Sequence, residues 1–300
     1  MNHGIRDQSQ SRFLIADAVS GIQKISRLLQ LTAKRSMAMP DDKFYRATIT
    51  KRVDFSPDLW SIRIVPGGEF RFQPGQYATL GVEAAQKRME RPYSIVSSPY
   101  ESEIEFFFEL VPHGVLTPEL YKLKAGDELL MRKAAKGRFT LDLSSSRKNH
   151  LLVSTVTGLA PFTSYIRTLS RDHNEGKFPE GQRLFLINGA SRSWEFGYHY
   201  EITKIASESP WLCYVPTVSR PWEDPSWRGE VGRVDDILRK YSDQWGLTPE
   251  NAIGYVCGHP EMIEHAKGIL KRLGFPKEAL REEIYWVPSK PAVKPVAQSA

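Results

Sequence analysis

The rhythm of the chain changes at Ser144-Ser145-Ser146-Arg147-Lys148-Asn149, and that change limits the folds open to it. Before this polar run come short strand-like segments: residues 47–53, 59–65, 76–80, 91–96, 104–111, 129–132 and 138–141. Pro66-Gly67-Gly68 and Pro74-Gly75 punctuate them, which reads as an antiparallel sheet or barrel. One helix is expected over 116–123, with Thr117 as N-cap and Pro118 in the first turn. After the run, apolar stretches at 151–155, 183–188, 212–218 and 252–257 alternate with helical stretches at 162–172, 200–208, 235–244 and 261–273. Such alternation predicts a parallel sheet with helices on both faces. The expected class is therefore β followed by α/β.

Bulk properties narrow the function. Three hundred residues suffice for two cores. The apolar share of 41% and charged share of 25% are those of an ordinary globular chain. No window nears eighteen consecutive apolar residues, so no membrane span is expected. Two cysteines, Cys213 and Cys257, argue against a disulfide scaffold and for a reducing, cytoplasmic setting. They also exclude a plant-type iron–sulfur cluster, which needs four thiolates. The net charge of +6 fits an acidic partner or a phosphorylated ligand. No basic run interleaved with aromatics points to nucleic acid, and no residue is assigned to a metal.

Four of those six net charges lie in residues 1–39, which carry six basic against two acidic residues. This stretch reads as an extension: disordered, or a start codon placed too early (Met37 and Met39 would serve), or an organelle-targeting segment. The expected boundaries are 40–146 for the first domain, 147–288 for the second and 289–300 for a disordered tail.

Three short motifs carry the chemistry. Arg91-Pro92-Tyr93-Ser94 combines a planar fork of donors suited to phosphate, a flat ring with a polar tip, and a small hydroxyl. Val156-Thr157-Gly158-Leu159-Ala160-Pro161 lies between a strand and a helix start, where a glycine loop can cradle a pyrophosphate. Tyr255-Val256-Cys257-Gly258-His259-Pro260-Glu261-Met262 closes the last main strand. In this order and at these separations the three resemble the ferredoxin–NADP reductase family, over roughly residues 40–287.

The resemblance implies an antiparallel FAD-binding β-barrel followed by a parallel, Rossmann-like NADP-binding domain. It implies that Arg91, Pro92, Tyr93 and Ser94 hold the flavin, and that Val115, Leu116 and Thr117 wrap its diphosphate and adenosine. An ordinary strand–loop–helix fits that second segment equally well on spacing. Thr157 and Gly158 are implied at the nucleotide loop. Where the family has its first glycine, this chain has Val156, a β-branched residue that resists positive φ. Cys257 is implied beside the nicotinamide.

The chain nears its end with Arg281-Glu282-Glu283-Ile284-Tyr285-Trp286. The family pattern Glu-x-Tyr puts Tyr285 on the flavin face and Glu283 nearby as a proton or electrostatic group; Trp286 is the alternative stacking residue. Unlike the family, this chain runs on for fourteen residues past Trp286.

Two Ser-Arg pairs, Ser191-Arg192 and Ser219-Arg220, follow the second and third parallel strands, where ligands bind in such sheets. Cations there favour NADP over NAD, with Arg228 or Arg233 as a third. The implied function is electron transfer between NADP(H) and a ferredoxin or flavodoxin. The alternatives are a reductase component serving an oxygenase, and a flavin-carrying sensor or regulatory subunit.

Overall fold

Twelve strands form two six-stranded sheets in the computed structural model, which describes residues 43–84 and 87–285 of the chain. The extension 1–39, Trp286 and the tail 289–300 lie outside the described residues.

The first sheet contains β1 (Phe44–Ser56), β2 (Leu59–Val65), β3 (Tyr77–Ala84), β4 (Lys87–Ser94), β5 (Ile104–Glu109) and β6 (Glu128–Arg132), in the order β4-β3-β6-β1-β2-β5. Its edge strands meet through an antiparallel bridge between Ile95 and Phe106, and Val96 N–H donates to the Glu105 carbonyl at 2.9 Å. Closing the edges makes a barrel and removes exposed ladder groups. Alternation along β2 and β5 turns Trp60, Ile62, Ile64, Phe106 and Phe108 into its core.

The second sheet is parallel, with β7 (Asn149–Thr155), β8 (Arg183–Ala190), β9 (Leu212–Val218), β10 (Glu230–Val231), β11 (Ala252–Cys257) and β12 (Leu280–Glu283) in the order β10-β9-β8-β7-β11-β12. Helices α2 (Ala160–Asn174) and α3 (His199–Glu208) pack on one face; α4 (Val234–Gln244) and α5 (Pro260–Arg272) pack on the other. Strand alternation decides the division. Leu152 and Leu186 meet Phe162 and Ile202, whereas Leu151, Val153 and Ile187 meet Leu238 and Ile263. The first face also receives Leu59, Val96 and Phe107 from the barrel, so one core joins the two halves. The expected fold class is borne out.

Two local expectations need correction. Residues 138–141 form no strand. Side chains of the other half bond this stretch and its neighbour: the Tyr165 hydroxyl donates to the Phe139 carbonyl, and just beyond, Asp142 N–H donates to the Tyr255 hydroxyl at 2.9 Å. Phe139 itself packs against Phe162, with ring centroids 5.7 Å apart. The second correction concerns the barrel helix α1 (Thr117–Lys122), whose N-cap is Leu116. The Thr117 hydroxyl is instead taken up by Val111, accepting from its N–H at 3.1 Å and facing its carbonyl at 3.3 Å.

Candidate active site

In the parallel sheet β7 lies between β8 and β11, so the connections run outward on either side and leave a crevice at the carboxyl ends of β7 and β11. That is where ligands enter such sheets. Register sets Ser154 beside Cys257, and Cys257 beside Glu283 on β12.

At the end of β7, Thr155 is still extended and Val156 turns to φ 44°, the left-handed region. The turn expected of a glycine is kept by a β-branched residue, at a cost of roughly 1–2 kcal/mol. A 3-10 turn over Val156–Leu159 then feeds α2. Gly158 allows the crevice to close. A Cβ there would run into the Cys257 carbonyl and Gly258. Gly258, at φ 138°, in turn lies against Thr155, whose hydroxyl accepts from His259 N–H at 3.0 Å. The two glycine motifs interlock.

Four residues expected at the reaction centre fall into two bonded pairs. Ser94 Oγ, from the buried end of β4, donates to Glu283 Oε2 at 2.6 Å. Cys257 Sγ donates to the Tyr285 hydroxyl at 3.1 Å. Burial pushes the Glu283 carboxyl up to about 7, against the opposing pull of Ser94. Burial likewise pushes the Cys257 thiol and the Tyr285 phenol well above their ordinary values, so both stay neutral. The barrel and the parallel sheet therefore meet through a cluster in which Cys257 and Tyr285 are neutral and Glu283 titrates at about 7.

Along β4, Arg91 is exposed and donates to the Glu90 carbonyl at 2.7 Å. Tyr93, two residues on and on the same side, is half-buried and packs edge-on against Phe108 at 4.8 Å. An exposed guanidinium beside an aromatic ring, one residue from the Ser94–Glu283 pair, suits a phosphate joined to a flat ring system. Pro92 is exposed between them. Val115 is 62% exposed, while the Leu116 side chain is buried in the barrel core, so only its backbone could serve a ligand. Thr157 is half-buried at the crevice.

The two Ser-Arg pairs come together. Ser219 N–H donates to the Ala190 carbonyl, and Arg220 N–H to the Ser191 carbonyl, both at 3.0 Å. Arg192 and Arg220 share the carboxylate of Glu223. Arg228 instead donates to the carbonyls of Pro225 and Trp227 in its own loop. Sequence reasoning missed Glu223, which accepts from Arg192; Asp224, which ties the two loops through Ser193 N–H; and Glu195, which bonds Ser191 and Arg192 within its own loop. The visible signal was Glu223 three residues after Arg220, the spacing of a one-turn ion pair.

Residues 46–141 match the family model described as oxidoreductase FAD-binding domain, and 152–268 match that described as oxidoreductase NAD-binding domain. The ferredoxin–NADP reductase of Pseudomonas aeruginosa is 32% identical over 230 residues, 72% of this chain and 84% of that protein. The chain belongs to the ferredoxin–NADP reductase family. It is a flavoprotein oxidoreductase with FAD and NADP as cofactors. The chain is also similar to the electron transfer component of the xylene/toluene monooxygenase of Pseudomonas putida, at 29% identity over 77% of this chain and 63% of that one. Among solved structures, a ferredoxin NADP+ reductase from Neisseria gonorrhoeae with bound FAD and NADP superimposes with a TM-score of 0.70. It is 24% identical and aligns over 81% of this chain and 99% of its own, a likeness of fold. Partners in this family are electron carriers such as ferredoxin. Among the described residues no helix is long and apolar enough to cross a membrane.

Proposed function

We propose that this enzyme moves electrons between NADP(H) and a small acidic carrier, ferredoxin or flavodoxin, in the cytoplasm. The domains divide at 40–146 and 147–288. The observation that supports this most is the bonded pair of Ser94 and Glu283, which joins the end of a barrel strand to the last strand of the parallel sheet.

In this reading Arg91 holds the flavin diphosphate, with the backbone at Val115, Leu116 and Thr117 around it. Pro92 shapes the strand end, and Tyr93 packs against the ring system. When bound, FAD supplies the exchange between two-electron and one-electron chemistry. Ser94 would offer its hydroxyl to a ring nitrogen of the bound flavin. Glu283 Oε2 accepts from Ser94 Oγ at 2.6 Å, so the pair would hold and relay a proton beside the flavin when it is bound. Thr157 and Gly158 position the dinucleotide, and the neutral Cys257 thiol packs where the rings meet without adding charge. Tyr285 would cover the flavin face that nicotinamide must reach, with Trp286 as the alternative. Ser191, Arg192, Ser219 and Arg220 take the 2′-phosphate, with Arg228 at the margin.

The test is NADPH-driven reduction of purified ferredoxin and flavodoxin by the holoenzyme. Turnover should be substantial with at least one carrier and should fall in Ser94→Ala with flavin content unchanged. Rapid ferricyanide reduction with no transfer to either carrier would overturn the carrier assignment. The monooxygenase relative supports a second reading, delivery to an oxygenase; reduction of oxygenase components alone, in the same assay, would favour it.

A further inference from the structure

Arg192 and Arg220 are not waiting for a phosphate with their charges open. Glu223 Oε2 accepts from Arg192 Nε at 2.7 Å and also from its Nη2, while Oε1 lies 3.6 Å from Arg220 Nη1. One carboxylate thus bridges both arginines, an oxygen to each, as two oxygens of a phosphate monoester would. Arg192 also donates to Glu195 Oε1 at 3.0 Å, and its guanidinium lies over the Trp194 ring at 5.8 Å. Two cations face two carboxylates, so an arriving phosphate dianion meets a balanced cluster.

The two carboxylates differ in what else they do. Glu195 is tied down, because its Oε2 accepts from Ser191 N–H at 2.8 Å. The Glu223 side chain is 35% exposed, and among the described residues its oxygens bond only guanidinium groups. The loops do not need it to stay together. Buried Asp224 accepts from Ser193 N–H at 2.9 Å and from the Ser226 hydroxyl at 2.8 Å, and Arg220 N–H bonds the Ser191 carbonyl.

We propose that Glu223 is a specificity-determining residue: a resident carboxylate in the 2′-phosphate site that NADP(H) must displace and NAD(H) need not. It lowers the preference for the phosphorylated cofactor below what two arginines would confer. The inference rests on the assignment of Arg192 and Arg220 to the 2′-phosphate.

The experiment is calorimetric binding of adenosine 2′,5′-bisphosphate and of 5′-AMP to holoenzyme carrying Glu223→Gln, Glu223→Ala or Arg220→Ala, with wild type alongside. Flavin absorbance and thermal midpoint serve as the check on folding. Both Glu223 variants should bind the bisphosphate about tenfold more tightly and 5′-AMP within twofold of wild type. Their ratio of kcat/KM for NADPH over NADH should rise in step. Unchanged or weaker bisphosphate binding in both folded variants would overturn the inference and make Glu223 a residue that merely holds the arginines. If Arg220→Ala still weakens bisphosphate binding in that case, the phosphate-site assignment survives alone. If Arg220→Ala changes nothing either, both fall.

Discussion

Glu283 holds its proton where a surface carboxylate would have lost it. Its carboxyl sits at about 7 against an ordinary 4.5, because burial disfavours the charged form. Below about 4.5 the folded and unfolded states are both protonated. Between 4.5 and 7 only the native state keeps the proton, so stability falls as pH rises through that window and levels off above it. Glu283→Gln should flatten this slope in denaturant titrations, and should remove an apparent pKa near 7 from the pH profile of kcat. A wild-type profile flat from pH 5 to 8 would refute the proton-holding role.

Arg91 offers a second test at this scale. A charged hydrogen bond to a desolvated phosphate contributes roughly 1.5–3 kcal/mol, so Arg91→Ala should lose FAD on gel filtration. Full flavin retention would remove Arg91 from the phosphate site. Tyr285→Ser should tighten oxidised nicotinamide binding, reduce discrimination against NADH and brighten flavin fluorescence. If Trp286→Ala does this and Tyr285→Ser does not, the stacking residue is Trp286.

At the scale of elements, the β7–α2 turn stores strain that a pair of variants can isolate. Val156→Ala keeps a Cβ at positive φ and loses packing against the α2 face; Val156→Gly loses the same packing but relieves the strain. The glycine variant should therefore be more stable than the alanine variant by about 1 kcal/mol. Equal stabilities, measured by chemical denaturation, would mean the turn is unstrained.

The same elements show what was legible in advance. Strands β7, β8, β9 and β11 and the four long helices stood out because apolar runs and helical periodicity repeat over many residues. Strands β10 and β12 did not, since two to four residues at a sheet edge carry no pattern. Residues 138–141 alternate like a strand, yet Phe139 and the neighbouring Asp142 bond tyrosine hydroxyls from distant helix and strand positions, which no local pattern reveals. Thr117 looked like a cap because its hydroxyl suits one, but Val111 lies closer in the folded loop. The motifs had singled out Ser94, Cys257, Glu283 and Tyr285, and the fold pairs them by hydrogen bonds. Glu223 was overlooked despite its i,i+3 spacing from Arg220, because its second bond, to Arg192, exists only once the loops at 191–195 and 220–226 meet.

Across the whole molecule, one buried carboxylate joins barrel to parallel sheet. Glu105, on β5, accepts from Arg63 at 2.9 Å within the barrel, and from Arg167 on α2 at 2.7 Å and the Tyr198 hydroxyl at 2.9 Å across the junction. Burial pushes its carboxyl up, but Arg167 and Arg63 outweigh this and hold it below the ordinary range. Its contribution is therefore present above the unfolded value and is lost as pH falls below about 4. Glu105→Gln should destabilise the protein by roughly 3 kcal/mol, since breaking a buried pair strands its partners. Such a loss would also loosen the geometry between Ser94 and Glu283, so kcat should fall with it; a change within 0.5 kcal/mol, the size typical of surface substitutions, would show that the junction holds without this carboxylate.

In this enzyme's proposed function, electrons pass through one site shared by both halves. Anaerobic stopped-flow mixing of holoenzyme first with NADPH or NADH, then with oxidised ferredoxin or flavodoxin, reads this directly. The flavin band should bleach faster with NADPH than with NADH and return as a carrier is reduced, with both phases slowed in Ser94→Ala. Bleaching that does not distinguish the two cofactors, or reduced flavin that neither carrier reoxidises, would contradict it.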